Sequence, residues 1–300
     1  MNFKHLKYFV ATAETGQVSR AAQLLSISQS AVTGSVRELE TILGTALFTR
    51  RSKGMELTKA GREFLHSARE ILERLEAAQQ LDKLDSDVEG TIKLAATYTV
   101  IGYFLPFHIR RLTHLYPRIE VQIVELNRQA IEQQLLASQI DLAVALTSNI
   151  HQEGIKTQTL MKSARRLWVP AGHPFSKETN VTLQQIAQEP YVMLTVDEAA
   201  HSSMKYWNAH NCQPNVRLRT SSVEAVRSLV ANGQGVTILS DMVYRPWSLE
   251  GHRIETVITN VEIPTMDVGL AMRRMGSPSV AVQAVRDYFT DAFLSPKSLF

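Results

Sequence analysis

The stretch that decides the fold is Gly16-Gln17-Val18-Ser19-Arg20-Ala21-Ala22-Gln23-Leu24-Leu25-Ser26-Ile27-Ser28-Gln29-Ser30-Ala31-Val32-Thr33. Val18, Ala21, Ala22 and Leu25 recur at helical spacing and predict a short amphipathic helix. Ser26-Ile27-Ser28 breaks the period, and Ser28 is a residue type that caps a new helix. Ala31, Val32, Val36, Leu39 and Ile42 give that next helix an inward face, and Gly44 closes it. The small Ala21 and Ala22 allow the two helices to approach closely across a tight turn. The second of them then stands out as a ridge that fits the major groove of DNA. Upstream, Phe3, Leu6, Phe9, Val10 and Ala13 predict a preceding helix that ends at Gly16.

The exposed leading residues of the ridge are Ser28, Gln29, Ser30, Thr33, Ser35 and Arg37. A glutamine amide can pair bidentately with adenine, and serine and threonine hydroxyls bond several base edges. Ser28 can also direct the positive helix end at a phosphate. Gly34 interrupts this surface; a glycine inside a helix costs roughly 1 kcal/mol relative to alanine and offers no contact. Base readout is therefore assigned to Gln29, Ser30 and Thr33, with Arg37 as either a further contact or the partner of a neighbouring acid. The segment from Ala46 to Leu57 reads as two short strands around a basic turn, a wing whose Arg50, Arg51 and Lys53 are placed to touch phosphates. Charge agrees with this reading. Residues 1–62 hold nine Lys or Arg and four Asp or Glu, a net +5, whereas the other 238 residues carry −2.

Thr58 is a suitable cap for a long helix from about Lys59 to Asp85. Along it Gly61, Phe64, Ala68, Ile71, Leu75 and Ala78 step by threes and fours, as in a coiled-coil seam, and charged residues flank them. Such a seam serves a partner helix in a dimer; the alternative is a single helix packed on its own domain. Asp85-Ser86-Asp87-Val88-Glu89-Gly90 reads as a polar hinge.

Beyond the hinge, strand and helix patterns alternate and predict a parallel α/β sheet. Strands are expected at Thr91–Thr97, Ile119–Leu126, Ile140–Leu146, Arg166–Pro170, Tyr191–Leu194, Gly235–Leu239 and Val268–Met272. Helices are expected at Val100–Tyr116, Asn127–Ser138, Thr182–Ala187, Val223–Asn232 and Ser279–Phe293. Thr182 with Gln185, Thr195 with Glu198, and Ser221 with Glu224 have capping-box spacing.

Other chemistry finds little support. The single cysteine, Cys212, excludes an intrachain disulfide and a thiolate cluster. The nine histidines are scattered and lack metal-site spacing, so no metal and no cofactor is expected. There is no Gly-rich phosphate loop and no nucleophile elbow, so no enzyme is expected. Neither a signal peptide nor a membrane-length apolar run is present, and a cytoplasmic protein is expected. A small-molecule-binding or enzymatic protein whose N-terminus only dimerises remains the competing class, though it leaves the basic first sixty or so residues unexplained.

The run Gly16, Ser19-Arg20-Ala21-Ala22, Leu25, Ser28-Gln29-Ser30-Ala31-Val32-Thr33, Leu39-Glu40, Leu43-Gly44, Leu47-Phe48, Arg50, Leu57-Thr58, Ala60-Gly61 resembles the N-terminal signature of LysR-type transcriptional regulators. The resemblance implies a winged helix-turn-helix at 1–58, a linker helix and hinge at 59–90 that pairs two copies, and an effector-binding module at 91–300. That module would have two α/β lobes similar to periplasmic solute-binding proteins, one of about 91–163 plus 269–300 and the other of about 164–268. It also implies double-stranded promoter DNA and a small-molecule effector as partners, and a tetramer built from two dimers. Ligands of open α/β folds sit at strand carboxyl ends, which here carry Thr97, Tyr98, Thr99, Thr147, Ser148, Thr195, Ser221 and Ser222. Their hydroxyls and free N–H groups suit a small polar or anionic molecule; Thr195 and Ser221 have helix capping as an alternative role.

Overall fold

The computed structural model describes residues 1–25, 27–51, 54–78, 87–178 and 180–294. They fall into two compact units, residues 1–84 and residues 85–300. Among the described residues no helix is long and apolar enough to cross a membrane.

The first unit runs α1 (Phe3–Thr15), α2 (Val18–Leu24), α3 (Gln29–Leu43), β1 (Phe48–Arg51), β2 (Gly54–Leu57) and α4 (Lys59–Ala78). Gly16 and Gly44 adopt the left-handed conformation that ends α1 and α3, with φ of 66° and 64°. Ser28 caps α3 by accepting from the Ala31 N–H. Leu6, Phe9, Ala21, Ala22, Val32, Val36 and Leu39 form the core with Leu47 and Phe48 from the wing. Two positions expected inside lie outside: Ala31 and Ile42 are exposed, because α3 turns only a narrow stripe to so small a core. Phe3 is exposed on α1 for the same reason.

α4 departs from the expected seam. Gly61 is buried, and a Cβ there would meet the Leu47 carbonyl oxygen at 2.1 Å. Phe64 packs edge-on against Phe9, and Ala68 is fully buried in the same core. The first half of the apolar stripe is therefore the contact of α4 with its own domain. Ile71, one turn further on, is exposed. The cap on this helix is as expected, since Thr58 Oγ1 accepts from the Gly61 N–H at 2.9 Å. The expected continuation of the helix beyond Ala78, and the hinge residues Asp85 and Ser86, lie outside the described residues.

The second unit begins with β3 (Gly90–Ala96), α5 (Tyr98–Tyr103), α6 (Leu105–Leu115), β4 (Ile119–Glu125), α7 (Arg128–Leu136), β5 (Leu142–Leu146) and β6 (Ile155–Ser163). It continues with β7 (Arg165–Pro170), α8 (Leu183–Ile186), β8 (Pro190–Leu194), α9 (Ala199–Ala209), β9 (Asn215–Thr220), α10 (Val223–Ala231), β10 (Thr237–Ser240) and β11 (Ile254–Val257). It closes with β12 (Met266–Arg273) and α11 (Val280–Leu294). The first lobe is a five-stranded sheet in the order β4-β3-β5-β12-β6. It is mixed and not all parallel: β3 runs parallel to β4 and β5, while β12 is antiparallel to β5 and β6. The physical reason is connectivity, because β12 returns from the second lobe instead of from a helix packed on the same sheet. It also starts at Met266, two residues before the expected strand. In the second lobe, β10-β7-β11 is antiparallel and β8-β9 parallel, joined by a bridge between Tyr191 and Val236.

The expected helix at Val100–Tyr116 is two helices broken at Phe104. Pro106 has no N–H to return to the preceding turn, which ends α5 there. The break serves the core: Phe104 and Phe293 stack at 5.3 Å, and His108 sits among Phe104, Phe289 and Phe293. His108 shares a hydrogen bond of 2.9 Å with the Tyr288 hydroxyl. Burial, and then the nearby Arg111, push its imidazole down to about 4. The unfolded chain takes up this proton at ordinary histidine pH and the folded chain does not. Its contribution to stability is thus complete above pH ~6.5 and disappears as pH falls toward ~4, a loss of about 3 kcal/mol. Urea unfolding of the second unit between pH ~7 and ~4 should show that loss, and His108→Phe should flatten it.

Candidate nucleic-acid interface and effector cleft

The first unit builds its interface from α3 and the wing. Val32 and Val36 are anchored in the core, which leaves Ser28, Gln29, Ser30 and Arg37 exposed and Thr33 half-buried along the leading turns. The Ser28 and Ser30 hydroxyls also bond each other at 3.0 Å. At Gly34 an added Cβ would meet nothing within 4 Å, so the glycine is not there for want of space. β1 and β2 pair antiparallel from Phe48 with Leu57 to Arg51 with Gly54, which gives the wing its hairpin. The backbone of Arg50 and Arg51 belongs to β1, and Lys53 lies outside the described residues. One residue without an assigned role in the sequence reading turns out to orient the wing. Glu40 on α3 accepts from the N–H groups of Leu47 and Phe48 at 2.8 and 3.0 Å. Met55 adds a second tie through its N–H to the Gly16 carbonyl at 2.9 Å.

In the second unit the strand ends of the first lobe face a loop of the second. A cleft of about 390 Å³ is bordered by Thr97, Tyr98, Arg128 and Asn149 from the first lobe and by Asp197 and Glu198 from the second. A smaller inner chamber of about 30 Å³ is bordered by Thr99, Leu146, Arg165, Leu194, Asp197 and Ser203. Thr97 is buried, and its hydroxyl has no partner among the described residues. Thr99 donates its backbone N–H to Asp197 Oδ2 at 2.7 Å and its hydroxyl to the same oxygen. Arg128 Nε donates to Glu198 at 2.8 Å and its guanidinium also holds Glu132 at 2.7 Å. Both carboxylates hold the Arg128 guanidinium above the ordinary arginine range, Glu198 most.

Of the expected cleft residues, the fold brings Thr97, Tyr98 and Thr99 to these cavities. Thr147 is buried with its hydroxyl against Thr159 at 2.9 Å; Ser148 and Thr195 are exposed; Ser222 caps α10 by accepting from the Ala225 N–H. None of these four borders either cavity. Two expected capping boxes do not form. The α10 cap is Ser222, one residue after Ser221, and Thr195 makes no side-chain cap. Asp197, Glu198, Arg128 and Arg165 were not foreseen, because their meeting depends on the approach of two lobes and has no local pattern.

A winged helix-turn-helix joined in one chain to a two-lobed, cleft-bearing α/β unit defines a one-component regulator, in which the same polypeptide holds DNA and senses a ligand. Residues 3–62 match the bacterial regulatory helix-turn-helix protein, lysR family, and residues 85–294 match the LysR substrate binding domain. The chain belongs to the LysR family of transcriptional regulators and is a ligand-responsive, DNA-binding transcription regulator. It is similar to YwqM of Bacillus subtilis (strain 168), an uncharacterized HTH-type transcriptional regulator, with 29% identity over 82% of this chain and 84% of the relative. It is likewise similar to the HTH-type transcriptional regulator CysB of Burkholderia cenocepacia, with 28% identity over 81% and 79%. Among solved structures, HinK, a LysR family transcriptional regulator from Pseudomonas aeruginosa, superposes with a TM-score of 0.63 at 26% identity, covering 97% of each chain. Full-length BenM shares the fold with a TM-score of 0.59 at 22% identity, over 99% of each chain. Regulators of this family bind promoter DNA and small-molecule effectors, and they oligomerise.

Proposed function

We propose that Gln29, Ser30 and Thr33 read base edges in the major groove, that Ser28 and Arg37 flank them, and that Arg50, Arg51 and Lys53 hold phosphates. The observation that carries this reading is the exposed leading turn of α3, fixed from below by buried Val32 and Val36. The +5 charge of residues 1–62 supports the phosphate contacts. Gln29→Ala should cost roughly 1–3 kcal/mol of discrimination at one base step and little elsewhere. Arg50→Ala should weaken all sequences alike and reduce the salt slope by about one. Binding measured on a set of operator variants at several salt concentrations separates the two. A Gln29→Ala protein with unchanged sequence preference overturns the assignment of α3 as reader.

The division into a DNA-binding domain at 1–58, a linker at 59–90 and an effector module at 91–300 belongs to the same proposal, as does action in the cytoplasm. Two copies pair through the face of α4 turned away from its own domain, where Ile71 is exposed while Leu72 still packs on the core. The pairing sets two wings on a two-fold site, and pairs of dimers make a tetramer. The effector is a small polar or anionic molecule that binds between the lobes, with Thr97, Tyr98 and Thr99 as its contacts. Thr147, Ser148, Thr195 and Ser222 would contribute only through the backbone around them. Binding shifts the balance of lobe or dimer arrangements and with it the bend of the DNA.

A further inference from the structure

The cleft and the inner chamber share one border residue among the charged side chains, Asp197. Its carboxylate occupies both donors that Thr99 offers, the backbone N–H and the hydroxyl. With Asp197 there, the inner chamber is about 30 Å³, roughly the room of one or two water molecules, beside a mouth of about 390 Å³. Asp197 and Glu198 both have positive φ, 50° and 61°, a left-handed pair that side-chain-bearing residues rarely adopt. The pair is held there by bonds to the opposite lobe, Asp197 to Thr99 and Glu198 to Arg128. Arg165 on the chamber wall is the complementary feature. Its guanidinium donates to the carbonyls of Pro264 and Thr265, and no carboxylate among the described residues forms an ion pair with it. At the border of the mouth, the buried Thr97 hydroxyl also lacks a partner among the described residues.

We propose that Asp197 is a built-in surrogate for the effector's anionic group. Its carboxylate plugs the cleft on Thr99, and an effector bearing a carboxylate or similar oxyanion must displace it to reach Thr99 and Arg165. This rests on the reading of the interlobe cleft as the effector site and adds the ligand class and the way the site is kept shut. Release of the plug frees Asp197 and Glu198 from their left-handed conformation, so the effector replaces strained contacts between the lobes with its own. An effector without an anionic group offers Thr99 a weaker acceptor than the carboxylate it has to displace.

Acetate, the side chain of aspartate without its backbone, is the probe. The full-length protein is melted at increasing acetate and constant ionic strength, as wild type and as Asp197→Gly. Glycine accepts the left-handed backbone, so the variant loses the carboxylate without added strain. The internal carboxylate acts at an effective concentration in the millimolar range or higher, so the acetate midpoint should be about tenfold or more lower in Asp197→Gly than in wild type. Asp197→Asn, which keeps the bulk and an acceptor, should shift in the same direction by less. Adding Thr99→Val to Asp197→Gly should abolish the response. Equal responses in wild type and Asp197→Gly, both removed by Thr99→Val, overturn the plug and leave the cleft as effector site. A response indifferent to Thr99→Val places the anion elsewhere and overturns the cleft reading with the plug. No response in Asp197→Gly overturns the plug.

Discussion

Replacing Phe9 by alanine is expected to remove about 3–5 kcal/mol from the stability of the first unit. Phe9 is fully buried, and its ring meets Phe48 at 5.3 Å and Phe64 at 5.2 Å. The three rings belong to α1, β1 and α4, so this one side chain joins the helix-turn-helix, the wing and the linker helix. Removing it costs the transfer of the ring from water and leaves a cavity that three separate elements cannot jointly close. It also removes two aromatic contacts of roughly 0.5–1.5 kcal/mol each, part of which the cavity figure already contains. A domain of this size has about 5–15 kcal/mol in all, so the loss is a large share. Calorimetry of the whole chain should show the transition of the first unit moved sharply down and that of the second unit unmoved. Operator affinity should fall with the first transition. A variant that melts and binds like the wild type would mean that the three-ring cluster does not hold the wing.

The same unit shows what a sequence discloses. Its signals are local: left-handed glycines at 16 and 44, small Ala21 and Ala22 at a helix crossing, Ser28 as a cap. Each acts within a few residues, so each is legible without the fold. The stripe from Gly61 to Ala68 was legible as apolar but not as to its partner, because periodicity says that a face is buried and not against what. In the second unit, β6, β9, β11 and α9 were not foreseen. β9 is an edge strand with mostly exposed positions, and β6 lies at the other sheet's edge with no clean alternation of burial. Their hydrophobic period is therefore weak, and only pairing makes them strands. The mixed direction of the first sheet likewise depends on a return across the 102 residues that lie between Ser163 and Met266. The cleft was legible in part, at the strand ends of Thr97 and Thr99. Asp197 was not, since an aspartate in left-handed conformation has no sequence mark when tertiary bonds put it there.

Glu224 on α10 is the other residue on which a large effect is expected. It accepts the Tyr103 hydroxyl from α5 at 2.8 Å and holds the guanidinium of Arg227, which is 4% exposed. Arg227 donates further to the Val243 carbonyl at 2.7 Å, and its Nε has no partner among the described residues. Glu224→Ala leaves a buried cation with one carbonyl and a tyrosine with no acceptor. Breaking a buried pair on one side costs about 3–5 kcal/mol, and the low end is expected here because Glu224 is 38% exposed and water can enter in its place. Removing both charges, in Glu224→Ala with Arg227→Met, should recover most of that loss, because no uncompensated charge remains and the methionine refills the helix face. Urea unfolding of the second unit at neutral pH measures the three variants. Equal or additive losses in the double variant would show that the pair is not the source. A pH signature accompanies the pair. Burial and the adjoining Glu224 push the Tyr103 hydroxyl up to about 12 from an ordinary 10. Its contribution is therefore present below pH ~10 and is lost as pH rises toward ~12, because the unfolded chain releases that proton first. In Glu224→Ala the ionisation of Tyr103, followed by tyrosinate absorbance, should move back toward the ordinary range. An unmoved midpoint would mean that burial alone sets it and that Glu224 does not grip α5 from the other lobe.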